Sequence, residues 1–339
     1  MALLWYTPGP ASQGRELDII RAGATGVRLT FSYSTPDYQA ERALLHRRLA
    51  QRHGAAFTIV ADLAGEKYRL GRFLGAASVQ VSADDQFRLI AGDHSDPATE
   101  RLLTVTSGTF LAGLERGDLI TAGDGSTVFE VTGVGEAEAR LVVTADGTIN
   151  QSRGLTVQGA NFRPRCLTDK DLSDLEFVAR SGCFDAVALS FVAEALDVRR
   201  ARGILTSGER PMEIIAKIET LAGVEHVTEI TQEADMVMAA RGDLALAMPW
   251  VELPDAVWRV EAAAQQTGTP WVLATQIVEG LERFVMPTRA EICDLAGWLV
   301  RGCGGVLVSY ETAFGARPVE AVRATRALLD RWSVGPTRP

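Results

Sequence analysis

The sequence predicts an α/β fold, a (β/α)8 TIM barrel with a small all-β barrel inserted after its third strand as a lid. Three observations predict it. Eight short apolar runs are nearly all followed by a helical stretch. The crossovers between those runs are long enough for parallel pairing. One stretch, residues 72–158, breaks the alternation and reads as strands throughout. The predicted domains are therefore 1–71 with 159–339 for the barrel and 72–158 for the lid. An open doubly wound sheet is the competing architecture, but its glycine-rich dinucleotide turn is missing after the first strand.

Leu3–Tyr6 is the first strand and stops at Thr7-Pro8-Gly9-Pro10-Ala11-Ser12. Glu16–Ala22 is a short amphipathic helix closed by Gly23. Gly26–Ser32 is a strand carrying Arg28. Thr35 caps a longer helix reaching His53, with Pro36 in its first turn and Gly54 after it. Phe57–Ala61 is the third strand and ends at Asp62. In the insert, Ala77–Ser82, Phe87–Ile90, Leu102–Val105 and Val128–Val131 alternate or are β-branched. Asp124-Gly125 and Asp146-Gly147 are turn signals, and no helix is predicted there. Thr168 and Asp171 then form a capping box for a helix over Lys170–Arg180. Five more strands follow at Ala186–Phe191, Ile214–Ile218, Met236–Ala240, Trp271–Thr275 and Gly305–Ser309. Helices are predicted at Glu194–Leu205, Gly223–Thr231, Pro254–Gln266, Arg289–Val300 and Val319–Trp332.

Composition narrows the function. The chain has 339 residues, 47% of them hydrophobic, so a large core is possible. A net charge of −9 argues against nucleic acid or an anionic membrane as partner. Cys166, Cys183, Cys293 and Cys303 match no metal spacing and read as small buried residues of a reducing compartment. No leader and no long apolar run is present, which predicts a cytoplasmic protein.

The run Met212–Glu219 carries the strongest functional signal. On a strand, residues two apart share a face, so Lys217 and Glu219 point together beyond the strand's end. A second acid, Asp243, follows the next apolar run. Two carboxylates and a lysine delivered by consecutive strands suit a divalent-cation site beside a cationic catalyst. In a barrel of this class, function collects at the C-terminal strand ends. Reading only those ends gives Arg28, Thr30, Ser32, Asp62, Ser190, Lys217, Glu219, Arg241, Asp243, Thr275, Gln276, Ser309 and Glu311. That ring suits a small phosphorylated or carboxylated substrate held by Mg2+ or Mn2+.

Over almost its full length the chain resembles the pyruvate kinase family. The resemblance rests on Thr7–Ser12, Val27–Ser32, Asp62–Arg69, Leu167–Asp171, Ala188–Val192, Ile214–Glu219, Ala240–Leu244, Ala274–Gln276, Pro287–Glu291 and Ser309–Ala313. It implies transfer of a phosphoryl group from phosphoenolpyruvate to ADP. It implies that Glu219 and Asp243 hold the divalent cation and that Lys217 stabilises the transferring phosphoryl group. Arg28 and Arg69 would bind phosphate. Ser190, with the amides around Gly242 and Asp243, would hold substrate, and Thr275 would sit by the enol face that is protonated. Pro10, Tyr33, Arg69 and Arg153 fall at nucleotide-binding positions. Ser32 and Asp62 keep two potassium-binding positions of the family, while Thr30 and Leu63 replace the other two. Lys67 resembles the lysine of the potassium-independent branch, so no potassium requirement is expected.

Several positions depart from the family. Tyr33 replaces a histidine near the nucleotide, and Ser34 the glycine after it. The basic lid signature is reduced to Ser152-Arg153-Gly154, and Tyr310 replaces a glycine at the mouth. The chain stops just after the eighth helix, without the family's C-terminal domain, which predicts a homodimer through the barrel and no allosteric effector. These departures leave open a divergent metal-dependent enzyme acting on phosphoenolpyruvate, oxaloacetate or another 2-oxo acid, or a non-catalytic phosphoenolpyruvate-binding relative. His46, His53, His94 and His226 are read as solvated helix or loop residues, and Trp250, Trp271 and Trp298 as buried aromatics. Arg289 and Glu291 are read as positioning the mouth loop or a dimer contact.

Overall fold

The computed structural model describes residues 1–159, 163–206, 208 and 210–333. The range 159–339 read as barrel therefore includes residues 160–162, 207, 209 and 334–339, which lie outside the described ones. The chain divides into two compact units. One comprises Met1–Gly65, Arg165–Gly242 and Pro254–Pro339; the other comprises Glu66–Pro164 and Asp243–Leu253.

The first unit is a closed barrel of eight parallel strands. They are β1 (Leu3–Tyr6), β2 (Gly26–Thr30), β3 (Thr58–Asp62), β4 (Ala186–Leu189), β5 (Glu213–Ile218), β6 (Met236–Ala240), β7 (Trp271–Ala274) and β8 (Gly305–Val308). Each pairs with its neighbours in sequence order, and β1 closes the ring against β8 with Leu3 opposite Gly305. Trp5, Val60, Ala188, Ile215, Met238 and Leu307 belong to one buried cluster inside it. Two residues further along their strands stand Thr7, Asp62, Ser190, Lys217 and Ser309. The period of two thus carries polar side chains to the end of the barrel whose floor is apolar.

Trp5 fills the interior, and β2 accommodates it with a glycine. A Cβ on Gly26 would lie 2.5 Å from the Trp5 ring and 2.6 Å from the Thr58 carbonyl oxygen. Gly26→Ala should therefore lower stability by about 1–3 kcal/mol. A urea midpoint equal to that of the parent would refute this packing.

Helix signals landed where capping chemistry was explicit. Thr35 accepts from Tyr38 N, Pro36 opens the helix Pro36–His53, and Gly54 ends it at φ +69°. The capping box of Thr168 and Asp171 opens Asp169–Ser181. Asp171 is fully buried, and its Oδ1 also accepts from Ala64 N (3.0 Å) and Gly65 N (3.1 Å), so this helix fixes the exit of β3. Elsewhere the boundaries differ. The helix expected over Gly223–Thr231 is two, Leu221–Glu225 and Val227–Glu233, broken at His226. β4 and β7 stop short because Phe191 (φ +55°), Thr275 (φ +76°) and Gln276 (φ +53°) take left-handed backbone. Short helices at Arg241–Leu246 and Tyr310–Ala313 follow β6 and β8 directly.

Three readings of single residues are corrected. His46 is not solvated; it is completely buried. Its Nδ1 lies 2.7 Å from the Arg42 carbonyl, so Nδ1 carries the proton and Nε2 accepts from the Tyr6 hydroxyl, also at 2.7 Å. Cys293 is exposed, while Cys166 and Cys303 are buried. Trp250 is 79% exposed, whereas Trp271 and Trp298 are buried and pack edge to face at 5.9 Å.

Burial lowers His46 from 6.5 to about 4, against the small opposing pull of the Arg42 carbonyl and Glu16. Tyr6, Phe57, Arg42 and Glu16 surround it, and Arg42 is paired with Glu16 at 3.0 Å. The unfolded chain takes up a proton here before the folded one does. The stability this depression supplies is present above pH 6.5 and is lost as pH falls toward 4, up to ~3 kcal/mol. His46→Phe should flatten the pH dependence of the urea midpoint in that window. A slope identical to the parent's would show that other groups govern it.

The second unit is nearly all β. Its main sheet has six strands in the order Leu155–Val157, Leu119–Ala122, Thr127–Val134, Glu138–Val143, Gln86–Ala91 and Leu102–Val105. All these pairs are antiparallel except the last. Phe87, Phe110, Phe129, Leu103 and Leu141 belong to its own core. One short helix, Thr109–Ala112, lies where no helix was expected. Among the described residues no helix is long and apolar enough to cross a membrane.

Candidate active site

Lys217 lies on the inner face of β5, 7% exposed, with three partners around its ammonium. Nζ is 3.2 Å from Asp62 Oδ1, 3.0 Å from Glu219 Oε1 and 2.8 Å from Ser190 Oγ. Ser190 donates onward to the Leu63 carbonyl at 2.7 Å, so its hydroxyl oxygen accepts from the lysine. Asp62 Oδ2 is 3.5 Å from Arg28 Nε. Strands β2, β3, β4 and β5 therefore gather two cations and two carboxylates in one buried group. Its formal charges cancel, which is what allows it to be buried.

Glu219 is held from a second side. Its Oε2 accepts from Phe191 N at 2.8 Å, the amide of a residue in left-handed backbone. A buried carboxylate with one edge toward the lysine and the other on an amide has a fixed orientation.

Arg28 joins this group to a cleft of about 620 Å³ whose lining includes Thr7, Pro10, Tyr33, Ser309 and Tyr310. Arg28 Nε is buried and makes no hydrogen bond among the described residues; its charge is answered by Asp62 at 3.5 Å. Tyr33 and Tyr310 are 73% and 52% exposed, and Tyr310 packs on Phe314 at 5.5 Å. The rim is thus aromatic and the base cationic.

Thr275 stands at the end of β7. A Cβ placed on Gly242 would lie 3.1 Å from both its hydroxyl and its methyl. A side chain on Gly242 would therefore make Thr275 shift by a few tenths of an ångström. Ser32 accepts from the Thr30 hydroxyl at 3.2 Å, and Leu63 is fully buried. Glu291 accepts from Gly280 N at 2.7 Å and closes the capping box of its own helix, so it fixes the loop that follows β7.

Arg69, Lys67, Arg153 and Asp243 belong to the second unit. The Lys67 ammonium bonds both carboxylate oxygens of Asp243, at 2.8 and 3.0 Å. Arg69 donates to the Ser152 carbonyl at 3.3 Å, and its backbone bridges to Gly154. Arg153 is exposed.

Among the described residues no group of three or more His, Cys, Asp and Glu could by itself hold a metal. Magnesium does not need one. It is commonly held by one or two carboxylates, with water and substrate oxygens filling the octahedron. The hard, oriented oxygen of Glu219 fits that chemistry.

Two contributors were not legible as such from sequence. Glu311 is a buried acceptor for three backbone amides, and Arg241 grips two carbonyls and Asp294. Both stood in the ring of strand-end polar residues, but nothing in their spacing disclosed these partners.

A family model described as "Pyruvate kinase, barrel domain" matches residues 4–322. Pyruvate kinase 2 of Synechocystis sp. is 33% identical over 332 residues, covering 96% of this chain and 55% of that protein. The pyruvate kinase of Chlamydia pneumoniae is 32% identical, covering 95% of this chain and 66% of its own. That of Thermococcus litoralis is 32% identical, covering 93% and 66%. The chain thus spans between 55% and 66% of the length of these three relatives. With the family model matching residues 4–322 and these relatives above 30% identity, the chain belongs to the pyruvate kinase family.

Proposed function

We infer that this chain transfers the phosphoryl group of phosphoenolpyruvate to ADP, giving pyruvate and ATP, with magnesium and without potassium. The observation that carries this is the buried group of Lys217, Asp62, Glu219 and Ser190, with Arg28 leading from it into the cleft. Phosphoryl transfer is mostly positioning and charge neutralisation. Lys217 and Arg28 supply fixed cations for the phosphoryl oxygens. Ser190 holds the lysine's direction through its bond to the Leu63 carbonyl. The bond between phosphorus and the enol oxygen breaks, one to the acceptor oxygen forms, and the enolate left behind takes a proton at C3 beside Thr275. We assign Glu219 to the divalent cation on its orientation and Asp243 on the family resemblance; bound there, the cation supplies charge neutralisation for the phosphoryl oxygens.

Potassium independence is supported by Asp62. Its carboxylate already lies between Lys217 and Arg28, so its charge is answered by two side chains. Lys67 is proposed as the family's substitute for the monovalent ion. The inserted all-β segment is proposed as the lid, and a cytoplasmic homodimer belongs to the same reading. A second reading, a different phosphoryl acceptor or a 2-oxo acid substrate, is favoured by the exposed rings of Tyr33 and Tyr310 on the cleft.

A ³¹P NMR time course with phosphoenolpyruvate, ADP and magnesium, without potassium, tests both. ATP should appear in proportion to phosphoenolpyruvate lost, and added potassium should not change the rate. Phosphoenolpyruvate left intact, but broadened by manganese only with protein present, would move the assignment to the second reading.

A further inference from the structure

Two consecutive non-glycine residues, Thr275 and Gln276, occupy left-handed backbone at the end of β7. A β-branched residue is the least suited to that region, so something must hold it there. Two charged side chains do. From one side the Arg241 guanidinium donates through Nη2 to the Thr275 carbonyl at 2.7 Å and the Gln276 carbonyl at 3.2 Å. Its Nη1 is anchored on Asp294 Oδ2 at 2.6 Å, and Asp294 Oδ1 in turn accepts from Trp298 Nε1 at 2.8 Å. From the other side Glu311, 2% exposed, accepts through Oε1 from Ile277 N at 2.9 Å and Val278 N at 3.2 Å. Its Oε2 accepts from Ser309 N at 2.9 Å, which ties the segment to the end of β8.

We propose that Arg241 and Glu311 are positioning residues, a two-ended clamp that keeps Thr275 in strained backbone and aims its hydroxyl at the reacting carbon. The strain lies at the residue assigned to the protonation step, where a departure from regular strand geometry has a use. The carbonyls before the turn are gripped by a cation and the amides after it by an anion, so the peptide planes on both sides cannot rotate. Gly242 bounds the third side, where an added Cβ would come within 3.1 Å of the Thr275 side chain. The proposal rests on the phosphotransferase reading, because that reading puts enolate protonation beside Thr275.

The test separates the two half-reactions. One readout is phosphoryl transfer in a single turnover, followed as ATP from phosphoenolpyruvate and ADP. The other is deuterium entry at C3 of pyruvate in D2O with magnesium, followed by ¹H NMR. Arg241→Lys keeps the charge but cannot serve two carbonyls and a carboxylate from one plane. Glu311→Gln puts an NH2 against backbone donors. Asp294→Asn, at a more exposed position, loosens Arg241 without touching the turn and keeps the test usable if Glu311→Gln fails to fold. At equal folded fraction, Arg241→Lys should slow deuterium entry about 10–100-fold, with phosphoryl transfer and the KM for phosphoenolpyruvate within about 3-fold of the parent. Asp294→Asn should act in the same direction, less strongly. Both half-reactions falling together, or neither falling, would overturn the clamp and leave the phosphotransferase reading in place. A parent protein showing neither half-reaction would overturn that reading and the clamp with it.

Discussion

Lys217→Met should abolish phosphoryl transfer, with a loss of about 10³-fold or more, and should also weaken the fold. Methionine keeps most of the stem's volume and removes the charge. The loss of rate follows from removing a fixed cation aimed at developing charge in a site of low dielectric. The loss of stability follows from what remains. Asp62 and Glu219 are each 3% exposed, and both face the place the ammonium leaves. A buried pair deprived of one partner costs about 3–5 kcal/mol. A double variant that adds Asp62→Asn should recover part of the stability but none of the activity, since it removes one stranded charge. Urea midpoints with kinetics on the same preparations check this. An active or equally stable Lys217→Met protein would refute the role given to the lysine.

Glu219→Gln should separate the carboxylate's bond to the Phe191 amide from its proposed part in holding the divalent cation. The glutamine oxygen can still accept from Phe191 N, so the left-handed turn after β4 should persist. Its NH2 would then face the Lys217 ammonium, where Oε1 now lies at 3.0 Å, and a divalent cation would lose its charged ligand. Activation by magnesium should weaken at least ~100-fold, since even outer partners of a metal site cost 10–100-fold. Glu219→Asp should behave differently: it keeps the charge but is one methylene too short to reach both the amide and the mouth. Magnesium titrations of the initial rate distinguish the three proteins. Equal magnesium dependence in parent and Glu219→Gln would place the cation elsewhere.

Much of this was legible in the sequence, for identifiable reasons. The period of two along each strand put Lys217 and Glu219 on one face, and the fold carries that face to the barrel mouth. Capping residues marked helices at Thr35 and Thr168 because a side chain that completes an orphan amide is a local event. What was missed is non-local. His46 sits among charged and polar helix neighbours, yet it is buried because Tyr6, forty residues earlier, needs an acceptor for its hydroxyl. Helical spacing cannot disclose a partner on another strand. The exposure of Trp250 was missed for the converse reason, since an aromatic residue's surroundings are not written in its neighbours.

The sequence by itself determined the class of fold, eight parallel strands closing a barrel, and it offered the lysine, arginine and carboxylates at strand ends as candidates for the site. It could do so because strand alternation, capping and turn chemistry act over a few residues. Only the tertiary structure decided how those charges are shared: Asp62 between Lys217 and Arg28, Glu219 between Lys217 and the Phe191 amide, and Thr275 between Arg241 and Glu311. Each of those choices joins residues on different strands, and an ion pair or hydrogen bond falls off within a few ångströms. The partner is therefore set by barrel closure and strand register, which sequence spacing does not contain.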